Sequence, residues 1–111
     1  MIKPELKSIN VTLEEWGETE QDFWIVVEIG IGPRNEIGDE LFTVNVASVK
    51  RLQKSIESNG IEIGRGLLIM DDFNINLVER TMEQLLRSCE RPSWNEVVLA
   101  FCRYAFWEYE Q

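Results

Sequence analysis

The chain has no histidine, only two cysteines in 111 residues, and eleven basic side chains against twenty acidic ones. Without histidine there is no histidine-dependent serine or cysteine triad, no imidazole acid or base, and no histidine-ligated metal. Two cysteines are too few for a four-cysteine zinc site. The excess of acids gives a formal net charge of -9, which repels phosphate backbones and anionic lipid. Nucleic acid and membranes are therefore poor partners and a cationic protein is a good one, although an acidic surface also serves solubility alone.

Long hydrophobic runs are also missing. No apolar stretch approaches the ~20 residues that span a bilayer, and the opening MIKPELKSIN lacks the apolar core of a signal peptide. We therefore expect a cytoplasmic protein in which Cys89 and Cys102 are reduced thiols, both buried because they lie in apolar helical patterns. Hydrophobic residues still make up 44% of the chain. That content predicts one domain over residues 1–111, with a monomer favoured.

Strand patterns fill the first half of the chain. Residues 2–11 are typical of a bulged edge strand, because Pro4 cannot donate to a sheet ladder and the apolar residues do not alternate strictly. Residues 23–33 alternate strictly and predict the strongest strand, which pairs as a hairpin with the alternating residues 42–46. Between the first two strands, residues 13–22 (LEEWGETEQD) have no lasting period. We predict a loop or a broken helical turn there.

A short helix and a fourth strand are predicted next. Ser48 can cap a helix that runs to about Glu57, with Leu52 and Ile56 facing inward. The strand follows near residues 66–70.

Two further helices have strong start signals. Asn76 with Glu79 and Ser93 with Glu96 both match the capping-box spacing. The inward stripes are Val78, Met82, Leu85, Leu86 and Cys89 in the first helix, and Trp94, Val97, Val98, Phe101 and Ala105 in the second. Of these, Trp94 and Phe101 are predicted to be core residues because large aromatic side chains dominate core energetics.

The order β-β-β-α-β-α-α predicts an α+β domain, with an antiparallel sheet of about four strands and helices on one face. The end of the chain is unusually aromatic. Its rings are Tyr104, Phe106, Trp107 and Tyr109. Such a surface has to pack on the body of the protein or on a partner.

The sequence motifs that could indicate metal binding or catalysis are weak. Asp72, Asn74 and Asn76 alternate ahead of Glu83 as in a calcium loop, but Leu77 stands where that loop requires glycine. The neighbouring acids at 71–72 fit solvated groups before a helix better than a catalytic pair. We therefore predict no catalytic, cofactor-binding or metal-binding residue, and a protein that is not an enzyme.

The strongest binding candidate is the acidic stretch around a single aromatic ring. Dense carboxylates can meet a basic surface while the ring supplies buried area. The candidate partner-binding residues are Glu14, Glu15, Trp16, Glu18, Glu20, Asp22 and Trp24. A solvated loop pinned by Trp16 explains the same pattern equally well. Because Lys50, Arg51 and Lys54 lie elsewhere in the sequence, we also expect a lopsided charge that steers a cationic partner.

Three stretches carry a resemblance to a known family. They are the opening MIKPELKSI, the central IGPRNEIGDELFTVNVAS and the ending CRYAFWEYE. They resemble the immunity protein 8 family of bacterial polymorphic toxin and contact-dependent inhibition systems. The resemblance implies a cytoplasmic antitoxin that binds the C-terminal domain of a cognate toxin, without catalysis or cofactor, and so protects the producing cell. Many antibacterial toxins are nucleases with basic grooves, so the acidic charge favours a nuclease as the target.

Two alternatives remain open. One is an acidic adaptor or regulatory subunit that binds an unrelated partner at the sheet edge, or on the outer face around Trp24 and Val26. The other is a small carboxylate-dependent hydrolase, which would need a pocket of clustered acids with shifted pKa values.

Overall fold

The computed structural model describes residues 1–110, and Gln111, the last residue of the predicted domain, lies outside them. The strands are β1 (Pro4–Trp16), β2 (Phe23–Pro33), β3 (Glu40–Ser48), β4 (Leu67–Met70) and β5 (Phe106–Trp107). The helices are α1 (Val49–Asn59), α2 (Ile75–Arg87) and α3 (Trp94–Phe101). The predicted α+β class and element order are confirmed, with a short fifth strand added at the end.

The sheet has the strand order β1-β2-β3-β4, and β5 also pairs with β3. The β1–β2 and β2–β3 pairs are antiparallel, while β3 and β4 are parallel because α1 carries the chain back between them. The sheet is therefore mixed, where we had expected all pairs to be antiparallel. Strand β1 is the predicted bulged edge strand, with register shifts between Leu6 and Ser8 and between Val11 and Leu13.

The core lies between one face of the sheet and helices α2 and α3. The strands contribute Phe23, Ile25, Val27, Ile29, Ile31, Phe42, Val44 and Val46, and the helices contribute Val78, Met82, Leu86, Val98 and Phe101. Phe101 is fully buried and meets Phe42 edge to face with ring centroids 5.0 Å apart, so its predicted core position is confirmed. Trp94 is only partly buried at the margin of this core.

The opposite face of the sheet is covered at one end by the loop between β2 and β3. A Cβ atom at Gly30 would lie 2.4 Å from the Asp39 carboxylate, and one at Gly32 would lie 2.1 Å from the Gly38 carbonyl oxygen. Any side chain at these two positions would push the loop away. The two glycines therefore let the loop pack directly on the sheet.

At its other end, the same face borders α1. None of the side chains of α1 is buried, and Ile56 is exposed while Leu52 is half-buried. The expectation that these two residues face a core is therefore wrong for Ile56. Helix α1 and Trp24 of β2 line a common groove, so the helices do not all lie on one face.

The helix starts follow the predicted capping chemistry with one shift. The Ser48 hydroxyl accepts from the Arg51 backbone N–H, and Ser93 with Glu96 forms a full capping box. In α2 the cap is Asn74 rather than Asn76, because Asn74 keeps an extended backbone and its side chain accepts from the two N–H groups of the first turn.

The aromatic end of the chain packs on the body of the protein in part, and Tyr109 stays 65% exposed. Its β5 strand pairs with β3, and the Trp107 indole N–H donates to Glu40 over 2.9 Å. The Arg65 guanidinium lies 4.4 Å from the centroid of the Phe106 ring and donates to the carbonyl oxygens of Cys102 and Ala105.

Both cysteines are free thiols. Cys89 is fully buried as expected, whereas Cys102 is only partly buried, since it follows the last turn of α3. Burial raises the pKa of the Cys102 thiol. Among residues 1–110, no helix is long and apolar enough to cross a membrane.

Candidate functional site

The acidic stretch forms the closed end of the β1–β2 hairpin, which we call the hairpin tip (residues 13–22). Strand β1 continues through Leu13 to Trp16, so the predicted loop or broken helical turn is wrong for this part. The turn itself is closed by a hydrogen bond from the Gly17 N–H to the Asp22 carbonyl oxygen over 2.7 Å. A Cβ atom at Gly17 would lie 2.1 Å from the Asp22 carboxylate, so only glycine fits.

Asp22 anchors the tip to α1. Its side chain is almost fully buried, and its carboxylate accepts from the Arg51 Nε over 2.7 Å and from the Lys54 ammonium group. The hydrogen bonds from Lys54 and Arg51 hold the pKa of Asp22 below its usual value. The charge of Asp22 is thus satisfied within the chain, and this candidate acid is not free to meet a partner.

The basic residues of α1 lie beside the tip, not apart from it. Arg51 also approaches the Glu15 carboxylate to 3.7 Å, and Lys54 shares Asp22. The expectation of a charge segregated from the basic helix is therefore wrong, because the fold brings residues about thirty positions apart into contact. Only Lys50 of the three basic residues is outside these ion pairs, and it is exposed.

Four tip acids are exposed, and three of them, Glu14, Glu18 and Glu20, form no salt bridge with any residue in 1–110. The Trp16 indole N–H donates to the Glu14 carboxylate over 3.1 Å, and the ring packs on buried Phe23 with centroids 5.3 Å apart. Even so, Trp16 remains 45% exposed. The tip therefore presents carboxylates around a fixed, accessible aromatic ring.

A groove of about 770 Å³ separates the tip from α1. It is lined by Glu15, Gly17, Glu18, Asp22, Trp24, Arg51, Lys54, Ser55, Ser58, Asn59 and Glu62. The Trp24 indole N–H donates to the Asn45 side-chain oxygen over 3.0 Å, which fixes this half-buried ring at the base of the groove. Charges of both signs and one aromatic ring make the groove suited to a polar protein surface.

Sequence reasoning found the acids and the two tryptophans but missed Arg51, Lys54 and Phe73. Phe73 reaches the tip from the segment before α2, where its ring meets Phe23 edge to face at 5.9 Å. No spacing signal links these residues, because each reaches the tip only through the folding of a distant element.

The structure supports no metal chemistry from the calcium-like pattern. The Asn74 side chain is engaged in capping α2, and residues 1–110 contain no group of three or more metal-ligating histidine, cysteine or acidic side chains.

Together these features define a small α+β domain with four exposed acids and an accessible aromatic ring at one hairpin end. The model of the family described as immunity protein 8 matches residues 4–111, essentially the whole chain. The chain belongs to this family. Neither a curated protein nor a solved structure matches it significantly. The sequence resemblance is thereby confirmed, and membership implies a toxin-neutralising immunity role with a cognate toxin as partner, generally without catalysis.

Proposed function

We propose that this protein neutralises a cationic toxin domain, a nuclease, by binding it through the hairpin tip and the adjoining groove. The observation that carries the proposal is the accessible ring of Trp16 among exposed Glu14, Glu18 and Glu20. Aromatic anchors ringed by complementary charge are typical of energetically dominant interface positions. The net charge of -9 adds a long-range attraction for a basic surface.

The proposed mechanism is occlusion by a preformed surface. The turn closed at Gly17 and the Asp22 anchor to α1 hold the tip in place before binding, so little ordering is needed on association. A nuclease must expose a basic groove to its phosphate-rich substrate. The acids of the tip can compete with that substrate for the same groove.

The role places the protein in the cytoplasm of the toxin-producing cell, where it protects that cell and its siblings during contact-dependent growth inhibition. The test is co-expression with the toxin domain encoded beside it. Growth should be restored when this protein is present at a molar excess over the toxin domain. If the toxin domain still kills under that excess, the proposal fails.

A second candidate, an adaptor for a partner unrelated to toxins, is favoured by an apolar pair on the outer sheet face, where β1 enters the tip. Leu13 is 51% exposed there and pairs across the strands with half-buried Val26. A flat apolar partner surface would fit this region better than a basic groove. Failure to bind the toxin domain, together with capture of a different protein that is lost on Leu13→Asp and Val26→Asp substitution, would support the adaptor over the immunity role.

A further inference from the structure

A second cavity lies on the other side of the tip from α1. It has a volume of about 360 Å³ and is lined by Trp16, Glu20, Asp72 and Phe73. One wall comes from the hairpin tip and the other from the segment between β4 and α2. We call it the aromatic cleft.

The two rings of the aromatic cleft are held by the core. Fully buried Phe23 contacts Trp16 at 5.3 Å between centroids and Phe73 at 5.9 Å. The walls are also joined directly, since the Gln21 side-chain amide donates to the Asp72 carboxylate over 2.8 Å. The cleft is therefore formed before any partner arrives, which lowers the entropy cost of filling it.

The charge of the aromatic cleft is negative and uncompensated within the described chain. Both Glu20 and Asp72 are exposed, and neither takes part in a salt bridge formed by residues 1–110. This differs from the groove beside α1, where Arg51 and Lys54 already occupy Asp22. A cation brought by a partner would meet carboxylates that no cation of the described chain neutralises.

We propose that the aromatic cleft receives one arginine side chain of the toxin. A guanidinium group is flat enough to stack on an indole or phenyl ring and presents several N–H donors to carboxylates at its edge. Two rings with two carboxylates beside them match both properties. Lysine matches the charge but not the planar stacking. The inference rests on the proposed function only in naming the toxin as the source of the arginine.

The probe is the peptide acetyl-Gly-Arg-Gly-amide, compared with its citrulline twin, which has nearly the same shape and no charge. Binding is followed by NMR at the Trp16 indole N–H and the Gln21 side-chain amide, with the Trp24 indole as internal reference. The arginine peptide should give saturable shifts at both reporters, with a dissociation constant on the order of millimolar for so small a ligand. The citrulline peptide should give none.

Matched variants locate the site. Glu20→Gln and Asp72→Asn should each weaken binding of the arginine peptide at least about fivefold, while Glu36→Gln in the distant β2–β3 loop should not change it. Asparagine retains an oxygen for Gln21, so Asp72→Asn keeps the bridge between the walls. Equal shifts with citrulline, shifts that do not saturate, or unchanged affinity in both cleft variants would overturn the proposal.

The same variants separate this proposal from the toxin role. If the protein protects cells from the toxin domain but binds no arginine peptide, the immunity role stands and the arginine-cleft proposal fails. If the protein binds the peptide through Glu20 and Asp72 but gives no protection, the arginine-cleft proposal stands and the immunity role fails.

Discussion

The hairpin tip and the C-terminal segment (residues 104–110) both combine aromatic rings with acids in sequence, yet the fold uses them differently. In the C-terminal segment two rings have polar partners from distant elements: Trp107 donates to Glu40, and Phe106 lies under Arg65, while Tyr109 stays 65% exposed. At the tip, Trp16 is 45% exposed, and the acids Glu14, Glu18 and Glu20 form no salt bridge within residues 1–110.

The difference comes from the partners that the fold supplies. Arg65 reaches the C-terminal segment across about forty residues and neutralises Glu110 there. At the tip, Arg51 and Lys54 pair with Asp22 and Glu15, and no other cation in the described residues 1–110 pairs with the remaining tip acids. We therefore propose that the tip, and not the C-terminal segment, is the binding surface.

The comparison is sharpened most by truncating Trp16 at the tip and Phe101, the core ring of α3 that supports the C-terminal segment. Phe101 supports the C-terminal segment through its contact with Tyr104, at 6.2 Å between centroids, and is fully buried. Phe101→Ala should lower the free energy of unfolding by about 3 to 5 kcal/mol in urea denaturation. Trp16→Ala should cost only about 1 kcal/mol, the value of one aromatic pair at a half-exposed site. Equal losses would mean that the tip is part of the core.

Arg65 tests whether the C-terminal segment is held from within. Arg65→Met keeps the apolar stem but removes the donors to two backbone carbonyl oxygens and the charge above Phe106. The free energy of unfolding should fall by about 1 to 2 kcal/mol, measured by urea denaturation. The control is Arg80→Met at an exposed position of α2, which should change stability by less than about 0.5 kcal/mol. If Arg65→Met leaves the free energy of unfolding unchanged, the contacts of Arg65 do not stabilise the C-terminal segment.

The last effect concerns Asp22, the buried tip acid that accepts hydrogen bonds from both Arg51 and Lys54. Because Lys54 and Arg51 depress the pKa of Asp22 in the folded state, its contribution to stability is present above the unfolded pKa of about 4 and is lost as pH falls through the lower folded value. Asp22→Asn should therefore melt at a lower temperature than the wild type at pH 6, and the gap should narrow by pH 2. If the difference in melting temperature between the wild type and Asp22→Asn does not change with pH, the ion pairs of Asp22 do not stabilise the fold.

Much of the fold is predictable from periodicity and capping residues. Strict alternation in β2 and the Ser93–Glu96 capping box identified two elements correctly because both signals are local. The extension of β1 through Glu14 and Trp16 was missed, since an edge strand exposed on both faces has no apolar alternation.

The candidate site was predictable only in part. Its acids and tryptophans lie close together in the sequence. Whether Asp22 and Glu15 are paired, however, depends on Arg51, which a turn and a strand pair bring close. Likewise, Phe73 meets Trp16 only across the core ring of Phe23. Long-range contacts of this kind leave no trace in spacing or composition.

The central claim, that the tip acids guide binding to a cationic toxin, is tested most directly by association kinetics with the toxin domain. The tip variant carries Glu14→Lys, Glu18→Lys and Glu20→Lys, which spares Glu15 beside Arg51. The control carries Glu36→Lys, Glu57→Lys and Glu108→Lys at exposed positions elsewhere, with the same change in net charge.

Raising the salt from ~0.05 to ~0.5 M should slow association of the wild type at least about tenfold, because the screening length falls to a few ångströms. The tip variant should associate at least about tenfold more slowly than the control at low salt, with a flatter salt dependence. If the tip variant and the control associate at the same rate with the same salt slope, the tip does not guide binding and the interface lies elsewhere on the protein.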